Sequence, residues 1–460
     1  MNAPTNDWDP KALWAAYSPD EKAHWNLRRV VHLHRRAGFG ATWAELQRDL
    51  KDGVEKSVDR LLQGKSRHGV PENFDTVAEQ IREHGGPTGS KSWWMYRMFA
   101  GPDPLGERLA LLWHNHFATS NEKVGNARWM QKQNTLFCRH GRGPFGELLA
   151  AVVHDPAVLV WLDAPANKKG QPNENLAREM MELFTLGVGH YSETDVKEAA
   201  RALTGWTLTR EGEFRERMAD HDDGEKTLLN NKGRWKGDDV VRILLQHPAT
   251  SRRLAWRICD WLMGEKFVEA AALDALAAGL RQNNLDIGWA VQTVLRSGIF
   301  FDERNMGNRV LGPVEFLVGT ARALERFDPP ASSLLLGEWS ARLGQDLFYP
   351  PNVGGWAGGR EWLTSQAIIG RANFAAALVE GHLSANPVPL DGIALARRCN
   401  RGQDLEDVLA FVVELLTGSG PEPAWRKRLL ACLGAKPKLE QETVRSLIAL
   451  IVASPETQLA

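Results

Sequence analysis

The chain has 460 residues, 43% hydrophobic and 25% charged, the composition of a soluble globular protein rather than a disordered or fibrous one. Its 56 Lys and Arg balance 57 Asp and Glu, for a formal net charge of −1, so bulk charge predicts no affinity for nucleic acid or an anionic membrane. The length allows one large core or two ordinary ones, since single cores stop growing near ~250–300 residues.

Four cysteines, Cys138, Cys259, Cys399 and Cys432, lie far apart with no CxxC spacing. Neither a thiolate zinc site nor a disulfide framework is expected from them. The first residues, MNAPTNDWDPKALWAAYSPDEK, lack a basic stretch followed by an apolar one, so no signal peptide is predicted and a cytoplasmic location is expected. The apolar run 447–453 is far short of the ~20 residues that span a bilayer. The chain is Trp-rich, with 18 Trp against 4 Tyr, which suits helix packing first and flat stacking surfaces second.

Helix signals dominate the chain in order. Ser18-Pro-Asp-Glu21 reads as a capping box that opens a helix ending at Gly38, and Thr42-Trp-Ala-Glu45 repeats the device for a shorter helix stopped by Gly53. Pro104 starts PLGERLALLWHNHF, in which Leu105, Leu109, Leu112 and Trp113 follow a helical period. Further helices are predicted over 124–140, 145–153, 174–187, 238–246, 249–263, 268–282, 286–296, 312–326 and 361–382, with about three more after 390. Alternation over 206–235 predicts a small β-hairpin, and the paired prolines and glycines of 343–360 predict a shaped loop. The expected fold is therefore mainly α: a large, bundle-like assembly of helices with one short hairpin excursion and one Pro/Gly-rich loop. A main helical domain is placed at 1–385, and a C-terminal helical module at 386–460 is either separate or part of it.

Chemistry-bearing residues concentrate in 173–206, NENLAREMMELFTLGVGHYSETDVKEAARALTGW. At 3.6 residues per turn, Leu176, Ala177, Met180, Met181, Leu183 and Phe184 share one face, while Glu174, Arg178 and Glu182 line up on another beside Glu179. That row is either a solvated ladder of ion pairs or a carboxylate–guanidinium cluster facing a cleft. Ser192 and Asp195 cap the following helix, which carries Arg201, and His190 sits in the intervening glycine turn. The His114-Asn-His116 triplet chelates well only when extended. On a helix its two rings diverge by about 200°, which leaves at most one for a site. The turn at 219–226 carries His221, Asp222 and Lys226 but fails the calcium-loop pattern. Trp356 and Trp362 stand in the shaped loop, either to stack on a sugar ring or to plug a helix seam. No GxSxG, HExxH, P-loop or post-strand GxGxxG occurs, which removes the commonest hydrolase, zincin, kinase and dinucleotide readings.

RRVVHLHRRAGFGAT near 28, RLALLWHNHFATS, NENLAREMMELFTLGVGH with DVKEAARALTGW, HDDGEKTLLN, HPATSRRLAWRI, GPVEFLVGTARAL and LGQDLFYPPNVGGWAGGREWL together resemble the bacterial family catalogued as domain of unknown function 1800, over nearly the whole chain. The resemblance implies a largely α-helical protein with no settled activity. It also implies a partner, encoded nearby, that is similar to sulfatases and alkaline phosphatases. Many members resemble exported proteins, so export of this chain would need a partner that bears the signal. The family's recurring polar positions map onto His114, His116, Glu174, Arg178, Glu179, His190, Asp195, Arg201, His221 and Lys226.

Two functions follow as expectations. The first is an enzyme whose cleft joins these segments for metal-assisted or acid/base hydrolysis of an anionic or carbohydrate substrate. In it Glu174, Arg178, Glu179, His190, Arg201 and Lys226 are the catalytic candidates. His114, His116, His221 and Asp222 would be the ligands of a divalent metal, and Trp206 and Trp356 the contacts to substrate or partner. The second is a non-catalytic accessory protein that docks to the sulfatase- or phosphatase-like partner. Convergence of the polar side chains on one pocket favours the first; their dispersal as ion pairs favours the second.

Overall fold

The computed structural model describes residues 14–67, 69–84 and 86–460; the leader reading of the first residues falls outside them. Helices begin where side chains satisfy the first orphan N–H groups. The Thr42/Glu45 box forms both of its hydrogen bonds ahead of Trp43–Asp52, and Gly53, at φ 86°, ends that helix. Asp103 caps Pro104–His116, and Asp195 and Ser192 cap Glu193–Ala202. The box expected at Ser18–Glu21 opens no helix. Asp20 Oδ1 instead accepts the N–H groups of Lys22 and Ala23 in a local turn, and the helix waits for Asn26, which caps Leu27–Ala37.

The helices pack into one contiguous buried cluster that runs from Val30 to Ala460. Pro248–Met263 lies along Ala270–Gln282, and Gly86–Ala100 lies between Phe74–His84 and Ser333–Arg342. After residue 390 there are four α-helices, Gly392–Arg398, Leu405–Thr417, Pro423–Cys432 and Gln441–Ala453, one more than the sequence reading. The last of these packs on Ser365–Val379, and Leu405–Thr417 packs on Leu27–Ala37. The fully buried Arg36 closes the seam by donating to the carbonyls of Ala460 and Asn305 at 2.6 and 2.9 Å. Among the described residues no helix is long and apolar enough to cross a membrane.

The excursion holds two hairpins rather than one. Strands β1 (Trp206–Leu208) and β2 (Phe214–Glu216) pair antiparallel, as do β3 (Lys226–Leu228) and β4 (Asn231–Gly233). The second turn places Leu229 and Asn230 at φ 48° and 65°, a two-residue turn whose hand suits twisted strands. Leucine is a poor choice there, and Asp195 Oδ1 holds its N–H at 2.7 Å, so this carboxylate serves both a helix cap and a turn.

One buried acid sets a pH dependence. Asp155 caps Pro156–Trp161 by accepting from Ala157 and Val158, and also takes Gln133 Nε2 at 3.0 Å. Its Oδ2 and Gln133 Oε1 are both buried without a partner. Burial pushes the Asp155 carboxyl from its ordinary 3.8 up to about 7. The folded state then keeps a proton that the unfolded chain releases above about pH 4, so this group's contribution to stability falls as pH rises from about 4 to 7. Asn retains the cap and supplies an N–H to the orphaned acceptor. Asp155→Asn is expected to raise stability at pH 8 by about 1–3 kcal/mol and to flatten that decline; equal urea midpoints for the two proteins at pH 8 would contradict this account.

Candidate functional site

The 173–226 residues form two paired networks instead of one cleft. Arg178 donates to Glu174 at 3.0 Å and to both oxygens of Glu193 at 2.9 and 2.8 Å, on the surface. Arg201 holds Glu198 at 2.9 Å and Asp222 at 2.8 Å. Lys226 is buried and donates to the carbonyls of Asp222 and Gly224, and burial lowers its pKa. His221, also buried, donates from Nδ1 to the Thr204 carbonyl at 2.9 Å. His190 is exposed, with its ring 6.3 Å from that of His247. Trp206 is buried against Phe214, His154 and Gly237, so its indole offers no open face.

The ladder Glu174–Arg178–Glu182 is broken by geometry. Asn175–Glu179 is α-helical, but Met180–Thr185 widens into a π-helix, with Leu186 N–H reaching back to Met181 O at 2.8 Å. Glu182 is thereby turned toward the Tyr191 hydroxyl, 2.6 Å away. Glu179 is half-buried beside it; burial and then Glu182 push its carboxyl up to about 7. At the C-terminal end of this segment the carbonyls of Leu183 and Phe184 accept from Arg253 at 3.4 Å and from His116 Nε2 at 3.1 Å.

His114 and His116 both lie on Pro104–His116 and turn to different partners, as helical divergence requires. His116 is a donor in the core, whereas His114 Nε2 accepts the N–H of Phe348 at 3.2 Å. Burial drives both imidazoles to the neutral form, His114 down to about 3. The candidate ligands His114, His116, His221 and Asp222 are thus each engaged separately. Among the described residues no three His, Cys, Asp or Glu side chains stand ready to hold a metal ion.

A pocket forms elsewhere, of about 290 Å³, between Pro248–Met263, the approach to Pro313–Ala323, and the Pro/Gly loop. Arg257, Asp260 and Trp261, at i, i+3 and i+4, present one helix face to it. Glu265, Arg309, Gln345, Trp356, Arg360 and Trp362 complete the polar and aromatic wall. Glu315 stands at the back, fully occupied: Arg309 donates to both its oxygens at 2.8 and 2.9 Å, Arg108 donates to it, and it caps Gly312 N–H at 2.7 Å. Trp261 lies against the guanidiniums of Arg108 and Arg309, at 4.9 and 5.5 Å from its ring centre. Arg257 is different. Its Nε is buried without a partner, and its guanidinium makes no hydrogen bond among the described residues. Burial lowers its pKa to about 10. Asp260 likewise has no hydrogen-bonded partner for its carboxylate among the described residues, and burial raises its pKa against the pull of Arg257 and Arg309, with Glu265 adding to the rise.

The loop is anchored by the Trp113–Phe117 segment. Asn115 Oδ1 accepts Trp356 N–H at 2.7 Å and its Nδ2 reaches Trp356 O at 3.4 Å, while His114 holds Phe348. Sequence reasoning placed Trp356 and Trp362 in this loop but missed Arg257, Asp260, Trp261, Arg309 and Glu315. The one available signal was a charged and aromatic stripe, Arg253, Arg257, Asp260 and Trp261, on a helix whose opposite face, with Leu254, Ala255, Ile258 and Leu262, is core.

A family model described as "Protein of unknown function (DUF1800)" matches residues 32–459. No curated protein and no solved structure matches the chain.

The anchor makes a testable demand at Gly355, which sits at φ 78° with its Cβ position 2.1 Å from Asn115 Oδ1. Gly355→Ala is expected to cost about 1–3 kcal/mol through backbone strain and the clash, and to shift Trp fluorescence as the loop moves. An unchanged denaturation midpoint and an unchanged emission spectrum together would refute the anchoring role.

Proposed function

We propose that this chain, which belongs to the DUF1800 family, binds a small anionic ligand with a flat ring face in the Arg257–Asp260–Trp356 pocket, an acidic monosaccharide being the class that fits best. The observation that carries the reading is the state of Arg257: a half-buried guanidinium that lines the cavity without a hydrogen bond among the described residues, where Arg178 and Arg201 are each held by two carboxylates. Guanidinium forks suit carboxylate, sulfate or phosphate. Arg108 and Arg309 share the single carboxylate Glu315, which leaves further positive charge behind the wall. Trp356 and Trp362, both largely buried, contribute apolar edges to the cavity wall, and Gln345 and Asp260 supply polar groups for the hydroxyls of a ring. A volume of about 290 Å³ is at the lower edge of the ~300–1,000 Å³ of ordinary ligand sites, which points to one ring rather than a chain.

Dispersal of the 174–226 residues into ion pairs favours the binding and accessory reading over a catalytic cleft in that region. A protein of this kind would present an acidic sugar to a sulfatase- or phosphatase-like partner. Acid/base hydrolysis is the second reading, and it rests on Asp260, whose carboxyl burial raises above its ordinary range at the pocket wall. The metal-assisted variant draws no support from the side-chain geometry.

Calorimetry with glucuronate, a sulfated monosaccharide and a sugar phosphate, against neutral glucose, tests this reading. Acidic sugars are expected to bind and glucose not to. Arg257→Ala and Trp356→Ala should each weaken binding at least ~10-fold, equivalent to about 1.4 kcal/mol. Protonating Asp260 removes a charge that repels the anion, so affinity should rise as pH falls through its raised pKa, and Asp260→Asn should flatten that trend. Equal affinity for glucose, or indifference to Arg257→Ala, defeats the proposal; turnover that disappears in Asp260→Asn with binding retained would select the hydrolytic reading.

A further inference from the structure

A second concave surface is predominantly basic: Arg82, Arg128, Lys132 and Arg139 line it against one carboxylate, Glu83, and Arg82 is paired with Glu79. Helix Ala127–His140 exposes Arg128, Lys132 and Arg139 along a groove of about 1,020 Å³, walled by the end of Phe74–His84 and by Phe145–Val153. At 3.6 residues per turn these three residues fall within about 40° of one another, with the small Thr135 on the same stripe. None of the three forms an ion pair among the described residues. Several other exposed arginines are paired, Arg252 with Asp274, Arg304 with Asp302, Arg426 with Glu406 and Arg428 with Glu456, whereas these three share one face of one helix. In a chain of net charge −1 this groove thus carries a local excess of positive charge, three unpaired cations against Glu83.

We infer that this groove docks an acidic, extended peptide segment of a partner protein. The charge is complementary, and the spacing suits a peptide. A helical rise of ~1.5 Å per residue puts Lys132 about 6 Å and Arg139 about 16 Å from Arg128. An extended segment rising ~3.3 Å per residue covers that distance in about five residues, with two carboxylates two positions apart matching the first interval. A nucleic acid fits less well. Three cations fall short of the ~6–10 phosphate contacts that make strong electrostatic binding, and the lining has no Trp, Tyr or Phe on which a base would stack.

Fluorescence anisotropy of the full-length chain with a fluorescein-labelled octaglutamate peptide tests the inference. The peptide is expected to bind at 20 mM NaCl, to weaken at least tenfold at 300 mM, and to weaken at least tenfold in the triple variant Arg128→Glu, Lys132→Glu, Arg139→Glu. Lys132→Ala alone, which removes only an exposed side chain, should weaken it two- to threefold and keeps the test valid if the triple variant misfolds. Arg257→Ala should leave peptide binding unchanged, which separates this groove from the pocket. Absence of peptide binding at low salt, binding that ignores both sets of substitutions, or tighter binding of an oligothymidylate of equal charge would each overturn it.

Discussion

The Arg108 guanidinium is completely buried, and a charge so placed is tolerable only with a well-formed partner. Glu315 is that partner. The same carboxylate takes both donors of Arg309 and the N–H of Gly312, so one side chain joins Pro104–His116, the 308–312 segment and the first turn of Pro313–Ala323. Removing Glu315 would leave two buried guanidiniums unpaired, a loss of the order of 3–5 kcal/mol for each broken buried pair. The pocket depends on this junction because Arg309 and Trp261 line it and Trp261 is packed against the two arginines. Glu315 itself has no oxygen to spare, which removes it from any chemistry in the cavity it builds.

The His-Asn-His segment acquires its meaning from the same junction. In sequence it invites a metal; in the fold each of its three residues reaches a different piece of backbone. His114 receives Phe348, Asn115 brackets Trp356, and His116 satisfies a carbonyl at the end of the π-helix. All three bonds fix irregular backbone, where no regular ladder is available to pair N–H and C=O groups. The acceptor role of His114 requires a neutral imidazole, and burial supplies it. The motif positions the loop that carries the pocket's tryptophans, and Asn115 also lines the pocket itself.

Local physics was legible in the sequence and long-range pairing was not. Caps at Thr42 and Ser192 could be read because each involves a side chain and an N–H three residues away. The mainly α class and the shaped 343–360 loop followed from periodicity and from Pro and Gly. Two local readings failed because a competing bond won: Asp20 made a turn where a helix cap was expected, and the π-widening at Met180 rotated Glu182 away from Arg178. The pocket could not be read at all. Glu315 and Arg108 are 207 residues apart, and Asn115 and Trp356 are 241 apart, so nothing in either neighbourhood announces the other. Sequence reasoning therefore ranked sites by local density of ionisable residues, and density selected 174–226, where the charges satisfy one another.

The useful distinction is between charges that are many and charges that are unanswered. Ion pairs at Arg178 and Arg201 are exposed enough that each contributes little, ~0–1 kcal/mol, and they bring their own counter-charges. Arg257 is half-buried and without a hydrogen-bonded partner among the described residues, so its desolvation is offset only by the Trp256 ring and by the nearby Asp260 charge. A ligand that supplied the missing acceptor would recover that cost on binding, which makes the pocket a place where affinity is already prepared by the apo fold. The exposed Arg128–Arg139 stripe has no such desolvation to recover. Its attraction is long-range and screened by salt, so it serves encounter with a partner rather than tight retention of a small molecule. The two surfaces thus differ in the physical source of their binding energy.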